Sequence, residues 1–212
     1  MMLRSKLTFD QLGTSIQHGE DRSIILTVPG QRNASSAFCN HVTVSAALCS
    51  NHVLRSGKHF AVFTGLKGFS VIGVVRPVQI KLSDFGEGEL KTFDPRNRRF
   101  WEYQLRQRTA RWTDSNVHCC SVSKVFASGS AFSHDWRSDK PGVSIDGLQS
   151  DTPIGLLLDL EEGTLSIYQN GQRLATLKDG LSGEYCWYAA VGGFTRPISI
   201  KRGFAPDDQR TG

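Results

Sequence analysis

The densest group of carboxylates in the chain consists of Asp159, Glu161 and Glu162. Carboxylate pairs hydrolyse glycosidic bonds when they flank the sugar bond and one of them has a raised pKa. Here the three acids stand directly before Gly163, between an apolar run and a segment of alternating residues. Acidic residues and glycine are typical of a solvated tight turn. We therefore interpret the group as a hairpin turn and not as a catalytic pair.

A second candidate is the spacing C-x-H-x7-C-x2-H formed by Cys39, His41, Cys49 and His52. Zinc prefers cysteine and histidine ligands, and four of them must converge on one point. The residues between His41 and Cys49 read VTVSAAL, which is typical of a core strand and not of a polar zinc knuckle. We therefore predict no metal and no cofactor, and this quartet remains the alternative.

Signatures of nucleophilic catalysis and of phosphate binding do not occur in the sequence. No serine lies in a G-x-S-x-G elbow. The turn between Gly65 and Gly68 lacks the lysine–serine pair of a phosphate-binding loop. We therefore expect a protein that is not an enzyme.

The strongest charged feature is the segment from Arg96 to Trp112, which contains six arginines and one acidic residue. Arginines interleaved with aromatic residues can bind nucleic acid by stacking and phosphate pairing. They can also bind an acidic peptide through bidentate hydrogen bonds. In a third interpretation the aromatic rings pack on the domain edge while the arginines face water. The candidates for contact with a partner are Arg98, Arg99 and Trp101.

The elements that must position these residues are β-strands joined by tight turns. Residues 154–160 form an apolar run, and Leu165 and Ile167 alternate with polar residues at the period of a half-buried strand. Asn170 and Gly171 tolerate the positive φ angles of a type I′ turn. This pattern predicts an antiparallel meander.

Strand signals at short spacing recur along the whole chain, with little indication of helix. Further strands are predicted over residues 23–28, 38–48, 58–64, 69–75, 119–126 and 197–202, and residues 129–148 are predicted to form a long loop. Many short strands with turn signals favour two packed antiparallel sheets. The predicted fold class is therefore all-β, an antiparallel two-sheet β-sandwich with little helix.

The chain of 212 residues, with 21 glycines and 7 prolines, is predicted to form a single domain over residues 23–203. Residues 1–22 are interpreted as a flexible N-terminal extension. Residues 81–113 are interpreted as a basic insertion, and residues 204–212 as a disordered tail.

The cysteines and the N-terminus indicate the cellular compartment of the protein. The five cysteines are irregularly spaced and are interpreted as reduced, mostly buried thiols. The sequence contains no apolar run that could span a membrane, and its N-terminus lacks the apolar core of a secretory signal. We expect an intracellular, cytoplasmic protein that is monomeric and does not contact a membrane.

Two motifs resemble signatures of the SPRY domain family. The sequence GLLLDLEEGTLSIYQNGQRL, followed by GLSGEYCWYAAV, resembles the C-terminal half of such a domain. Upstream, SGKHFAVFTGLKGFSVIGVVRP resembles the earlier signature, which closes on Gly-Val-x-Arg-Pro. The motifs stand in the family's order. The resemblance extends over residues 51–203, although residues 81–113 match nothing in it.

The resemblance implies a concanavalin-type jelly roll that serves as a protein-interaction module or adaptor. Such a module binds a peptide or a folded partner through loops at one end of the sandwich. The partner-binding candidates are then Arg76 and Pro77, which close the earlier signature, Trp136 and Arg137 in the predicted long loop, and Tyr168. Trp136 alternatively plugs the end of the sandwich, and Tyr168 is alternatively covered by a neighbouring loop.

Two alternative functions belong to other classes. The SPRY sandwich resembles legume lectins in architecture, so a glycan-binding domain is one alternative. A lectin often holds calcium with carboxylates, and the turn at Asp159 is the one acidic cluster in the sequence. The other alternative is binding of nucleic acid or of an acidic partner through the segment from Arg96 to Trp112.

Overall fold

The computed structural model describes residues 6–28, 44–84, 93–125, 128–136, 143–149, 151–192 and 196–206. Within these ranges the strands form two sheets of seven strands each, and every strand pairing is antiparallel. The one α-helix in the described ranges is α1 (Trp101–Leu105). The predicted all-β, antiparallel two-sheet sandwich is confirmed.

The two sheets are named sheet 1 and sheet 2. Sheet 1 has the order β1 (Gln11–Leu12), β4 (Val44–Leu48), β13 (Cys186–Gly192), β6 (Phe69–Val75), β7 (Val117–Val125), β8 (Ser128–Asp135), β9 (Val143–Ile145). Sheet 2 has the order β12 (Gln172–Lys178), β11 (Thr164–Gln169), β10 (Ile154–Asp159), β5 (Lys58–Thr64), β14 (Ile198–Arg202), β3 (Ile24–Thr27), β2 (Ile16–His18). Strands distant in sequence are neighbours in both sheets, as in a jelly roll.

The main core lies between the two sheets. Alternate residues of β10, namely Ile154, Leu156 and Leu158, are fully buried in it. Phe63 of sheet 2 and Trp187 of sheet 1 meet edge to face, with ring centroids 6.2 Å apart. Burial of apolar area at about 25 cal/mol per Å² makes this layer the main source of stability.

The hairpin between β11 and β12 has the predicted turn. Asn170 and Gly171 have φ angles of 54° and 76°. Gln169 and Gln172 pair across the turn. Positive φ at both central residues is the conformation of a type I′ turn, which confirms the assignment made from the Asn-Gly pair.

A second apolar cluster lies on the outer face of sheet 1. Val71, Val75 and Tyr188 contribute from the sheet, and residues 93–112, called the cover segment below, pack on them. The cover segment buries Phe93, Phe100 and Trp112 in this cluster. The rings of the basic segment therefore pack on a sheet face, and not on the domain edge that we expected.

The N-terminal residues contribute to the sandwich. We expected residues 1–22 to form a flexible extension, but β1 pairs with β4 and β2 pairs with β3. Leu7 and Phe9 are fully buried in the main core. Both strands are too short to show an alternating pattern, which is why the sequence did not indicate them.

The last residues that the structure describes are Phe204, Ala205 and Pro206, and Phe204 is 91% exposed. The rest of the predicted tail lies outside the described residues. No helix in the described ranges has the length and apolar character needed to cross a membrane.

Candidate functional site

The most extensive polar arrangement surrounds Arg76, the residue that follows β6. Its side chain is fully buried. Nε donates to the carbonyl oxygen of Val117 at 3.1 Å, and Nη2 donates to that of Ser115 at 3.1 Å. Nη1 donates to the carbonyl oxygens of Ser182 at 2.8 Å and Glu184 at 3.0 Å. The guanidinium therefore binds backbone acceptors from two separate segments.

Two aromatic rings complete the surroundings of this cation. The Arg76 Cζ atom lies 4.0 Å from the ring centroid of Tyr185 and 5.8 Å from that of Trp112. Burial lowers the pKa of Arg76 to about 10, although the nearby Tyr185 and Glu184 oppose this shift. The guanidinium thus stays charged at neutral pH, stabilised by carbonyl dipoles and by the faces of the rings.

The two segments that Arg76 joins are also bonded to each other. The hydroxyls of Thr113 and Ser182 lie 2.6 Å apart, and the Ser115 hydroxyl donates to the carbonyl of Gly180 at 3.1 Å. The Glu184 N–H donates to the carbonyl of Arg111 at 3.1 Å. We call this region, residues 111–117 and 180–185 around Arg76, the Arg76 end. Its loops are joined to each other and to the Arg76 side chain beneath them by hydrogen bonds.

The rim of the Arg76 end carries exposed arginines around the carboxylate of Glu184. Glu184 is largely buried and pairs with Arg55 at 2.8 Å and with Arg111 at 3.5 Å. Both arginine side chains are more than half exposed. Arg108 is exposed as well and donates to the carbonyl of Thr113 at 2.9 Å. The rim thus presents three arginines together with two carboxylates, those of Glu184 and of the exposed Asp114.

Trp136 lies directly after β8, and its backbone N–H donates to the carbonyl of Asn116 at 3.2 Å. Its ring stacks on His118, with centroids 4.0 Å apart, and is parallel to Trp112 at 6.4 Å. The residue is half-buried. Trp136 therefore fills space beside the Arg76 end, with its indole nitrogen buried. The predicted long loop is wrong at this point, because β8 and β9 occupy much of residues 129–148.

The candidates in the basic segment are placed differently from one another. Trp101 is buried and meets the ring of His118 edge to face at 5.0 Å. Arg98 and Arg99 are exposed, and Arg98 lies over the Trp101 ring at 5.2 Å. Since Trp101 is covered, it cannot serve as an open platform for stacking bases. Arg98 and Arg99 remain accessible.

His118 lies beneath the cover segment and is fully buried. Its Nε2 is 3.2 Å from the carbonyl oxygen of Pro95. Burial, together with the neighbouring His134, lowers the pKa of His118 to about 3. The ring is therefore neutral at physiological pH and joins the cover segment to sheet 1.

The remaining candidates do not converge with the Arg76 end. Tyr168 is buried on sheet 2, with its ring edge to face against Phe60 at 5.6 Å. Pro77 is half-buried next to Arg76. Arg137 lies outside the described residues. Arg76 itself was expected to contact a partner directly, and its side chain is completely buried.

The acidic turn has the geometry of a turn. The carboxylate of Asp159 accepts hydrogen bonds from the N–H groups of Glu161 and Glu162, both at 3.1 Å, and pairs with Lys58 at 3.2 Å. Burial opposes ionisation, but these bonds lower the pKa of Asp159 below its ordinary value. A glycosidase acid needs the opposite shift.

The described residues contain no group of three potential metal ligands. Cys39 and His41 of the quartet noted in the sequence lie outside the described residues. Cys49 is buried, and burial raises the pKa of its thiol.

Sequence reasoning missed Glu184, which shapes the rim, and did not single out Arg111 within the segment from Arg96 to Trp112. Glycine at position 183 was the one available signal. Its φ is 81°, and an added Cβ would lie 2.6 Å from the carbonyl oxygen of Arg111. Only glycine permits this close approach of the two loops.

Two solved structures have similar folds. The chain aligns with the PSpry domain of TRIM65 at a TM-score of 0.58 and 14% identity, covering 92% of this chain and 89% of that one. It aligns with the SPRY domain of human HERC1 at a TM-score of 0.55 and 14% identity, covering 90% and 94%. No protein-family model matches the sequence, and no curated protein matches it.

Proposed function

We propose that this chain, whose fold is that of a SPRY domain, is a non-catalytic protein-interaction module. In this proposal the loops of the Arg76 end receive a peptide or a folded partner. The observation that carries the proposal is the set of four hydrogen bonds by which buried Arg76 fixes two loops. Loops that are already ordered lose little conformational entropy on binding.

The chemistry of the rim supports the same proposal. Arg55, Arg108 and Arg111 are exposed there, and the half-buried ring of Trp136 lies beside them. Arginine and tryptophan are enriched among the residues that dominate binding energy in protein interfaces. Arg76 positions this surface without touching the partner.

Buried thiols support a non-catalytic role. Burial raises the pKa of Cys119 to about 12 and raises that of Cys120 further. Because the thiolate is the reactive form, these thiols are poor nucleophiles at neutral pH. The described cysteines, Cys49, Cys119, Cys120 and Cys186, are all free. We accordingly place the module in a reducing, intracellular compartment, where it acts as a monomeric adaptor.

The test is affinity capture from cell lysate followed by quantitative mass spectrometry. Wild type is compared with Arg108→Ala/Arg111→Ala at the rim and with Arg196→Ala/Lys201→Ala, which removes two exposed charges on the side of sheet 2. Proteins lost only with the rim variant support the proposal. If every captured protein is retained by the rim variant, the proposed surface is wrong.

A further inference from the structure

A half-open cavity, lined by charged, amide and tyrosine side chains, lies beside α1 and apart from the residues assigned above. It has a volume of ≈ 350 Å³ and is lined by Gln79, Lys81, Asp84, Tyr103, Arg106 and Gln107. This volume is near the lower end of the range for ligand sites, roughly 300–1,000 Å³. The cavity is therefore large enough for a side chain with its flanking backbone, but small for a folded element.

Side chains of the cover segment fix one wall of this cavity. Gln107 accepts from the N–H of Gln79 at 2.7 Å and donates to the carbonyl of the same residue at 3.1 Å. The Tyr103 hydroxyl accepts from the N–H of Lys81 at 3.1 Å and donates to the Gln79 carbonyl at 2.5 Å. The amide of Gln107 is thus committed to the wall and not to a ligand.

The same strip of backbone is also held from β1. The Gln11 side chain donates to the carbonyl of Val78 at 2.9 Å, and its oxygen accepts from the N–H of Ile80. Residues 78–81 are therefore bound by side chains from two directions. The cavity wall is formed before any ligand arrives, which lowers the entropic cost of binding.

The charged groups of the cavity are two cations and one carboxylate. Lys81 is exposed and forms no ion pair with the residues that the structure describes. Arg106 lies 3.7 Å from Glu102, but both side chains are about 80% exposed, and such a surface pair is weak and easily exchanged. Lys81 and Arg106 are therefore available to a ligand, and they attract an anion.

We infer that this cavity binds an aspartate or glutamate side chain within an extended segment of a partner protein. Lys81 and Arg106 donate to its carboxylate through charge-assisted hydrogen bonds. Asp84 accepts from a backbone N–H of the ligand, a group that a peptide has and a phosphodiester lacks. The carboxylate of Asp84 also repels closely spaced phosphates, which favours a peptide over nucleic acid.

This inference rests on the proposed function, because it specifies the chemistry of the partner. The cavity and the Arg76 end are connected by short stretches of chain. Gln79 follows Arg76 by three residues, and Arg108, next to Gln107, donates to Thr113 at the Arg76 end.

The test is fluorescence anisotropy with a labelled peptide of alternating glutamate and glycine. Its controls are the matched glutamine peptide, a phosphoserine peptide and a single-stranded oligonucleotide. We expect Lys81→Gln/Arg106→Gln to weaken binding of the glutamate peptide about tenfold, as expected for two lost charge-assisted contacts. The charge-matched Arg196→Gln/Lys201→Gln should bind as wild type does, and the glutamine peptide should bind weakly to all three.

Equal affinity of wild type and the cavity variant for the glutamate peptide would overturn the inference. The inference would also be overturned if the charge-matched control lost as much affinity as the cavity variant. Tighter binding of the phosphoserine peptide or of the oligonucleotide would also overturn it. Melting temperatures show whether each variant folds. The two residues replaced in the cavity variant, Lys81 and Arg106, are exposed. The proposed function fails separately, when captured proteins are insensitive to Arg108→Ala/Arg111→Ala; a failed peptide test alone leaves it standing.

Discussion

Arg76 and Tyr185 bind the same carbonyl oxygen, that of Val117. Arg76 donates to it from Nε at 3.1 Å, and the Tyr185 hydroxyl donates to it at 3.0 Å. The guanidinium also lies over the Tyr185 ring at 4.0 Å. The arginine that closes the sequence signature is thus held within the fold beneath the loops.

Replacement of Arg76 should destabilise the domain strongly. Arg76→Met removes a donor from four carbonyl groups. The carbonyl of Val117 keeps the Tyr185 hydroxyl as a donor, whereas those of Ser115, Ser182 and Glu184 lose the Arg76 bond. Each buried group left unsatisfied costs about 1–3 kcal/mol. We expect a loss of about 3 kcal/mol or more in the free energy of unfolding, measured by urea denaturation. Arg76→Lys should also be destabilised, since an ammonium group cannot reproduce the planar fork.

The control for this prediction is Arg196→Ala, an exposed position that should change stability by less than about 0.5 kcal/mol. A midpoint for Arg76→Met that coincides with wild type would show that the hydrogen bonds of Arg76 do not hold the loops.

The turn between β11 and β12 offers a test of backbone conformation. Gly171→Val should destabilise by about 1–3 kcal/mol, because a β-branched residue is strained at a φ of 76°. Asn170→Gly, at a φ of 54°, should be close to neutral, since glycine adopts this conformation freely. Thermal or urea unfolding of both variants measures these two changes in stability. Equal stability of Gly171→Val and wild type would mean that the turn is wrongly assigned.

Acid should destabilise the protein through His118. Burial and His134 lower its folded pKa to about 3 from the ordinary 6.5, so between these values the unfolded state binds a proton that the folded state does not. Stability is therefore lost as the pH falls from about 6.5 toward 3, with a slope of up to about 1.4 kcal/mol per pH unit. His118→Phe retains a ring beside Trp136 and should show a shallower loss in urea unfolding at pH 7 and pH 5. Identical pH profiles would contradict this account of His118.

The thiols should be free and protected. In the folded protein Cys49, Cys119, Cys120 and Cys186 are buried and unpaired, so alkylation should be slow until denaturant is added. Mass spectrometry after unfolding without reductant should show five adducts, one for each cysteine of the sequence. A reproducible deficit of two mass units in freshly purified protein would show a disulfide instead.

The same thiols predict a loss of stability in alkali. Burial raises the pKa of Cys119 to about 12 from 9.0, so above about pH 9 the unfolded state releases a proton that the folded state retains. The free energy of unfolding should therefore fall as the pH rises from 9 toward 12. Cys119→Ala should reduce that slope in urea titrations, and an unchanged slope would exclude Cys119 as its source.

The sequence predicted the fold through features that are local. Alternation in β11 and the Asn170–Gly171 pair identify a hairpin without knowledge of its neighbours. By contrast, the serine- and glycine-rich residues of β8 carry little apolar pattern, so the strand was interpreted as a loop. The role of Arg76 was inaccessible for another reason, because its acceptors lie 39 to 108 positions away in the sequence.

The basic segment shows the same limit. Its composition predicted either a binding surface or aromatic packing, and its rings do pack on sheet 1. Composition could not separate Arg98 and Arg99 from Arg108, which reaches the Arg76 end through Thr113. Which of these arginines lies near the Arg76 end depends on how the chain folds over the sheet. The two groups of arginines can therefore be compared in matched double variants.

The most direct test of the proposed binding surface is the affinity of a captured partner for two double variants of the cover segment. Arg108→Ala/Arg111→Ala and Arg98→Ala/Arg99→Ala each remove two positive charges from one segment, so they change its net charge equally. We predict that the first weakens binding by about 2 kcal/mol or more, that Trp136→Ala weakens it as well, and that the second leaves it near the wild-type value. Loss of binding in Arg98→Ala/Arg99→Ala, with binding retained in Arg108→Ala/Arg111→Ala, would contradict the assignment of binding to the Arg76 end.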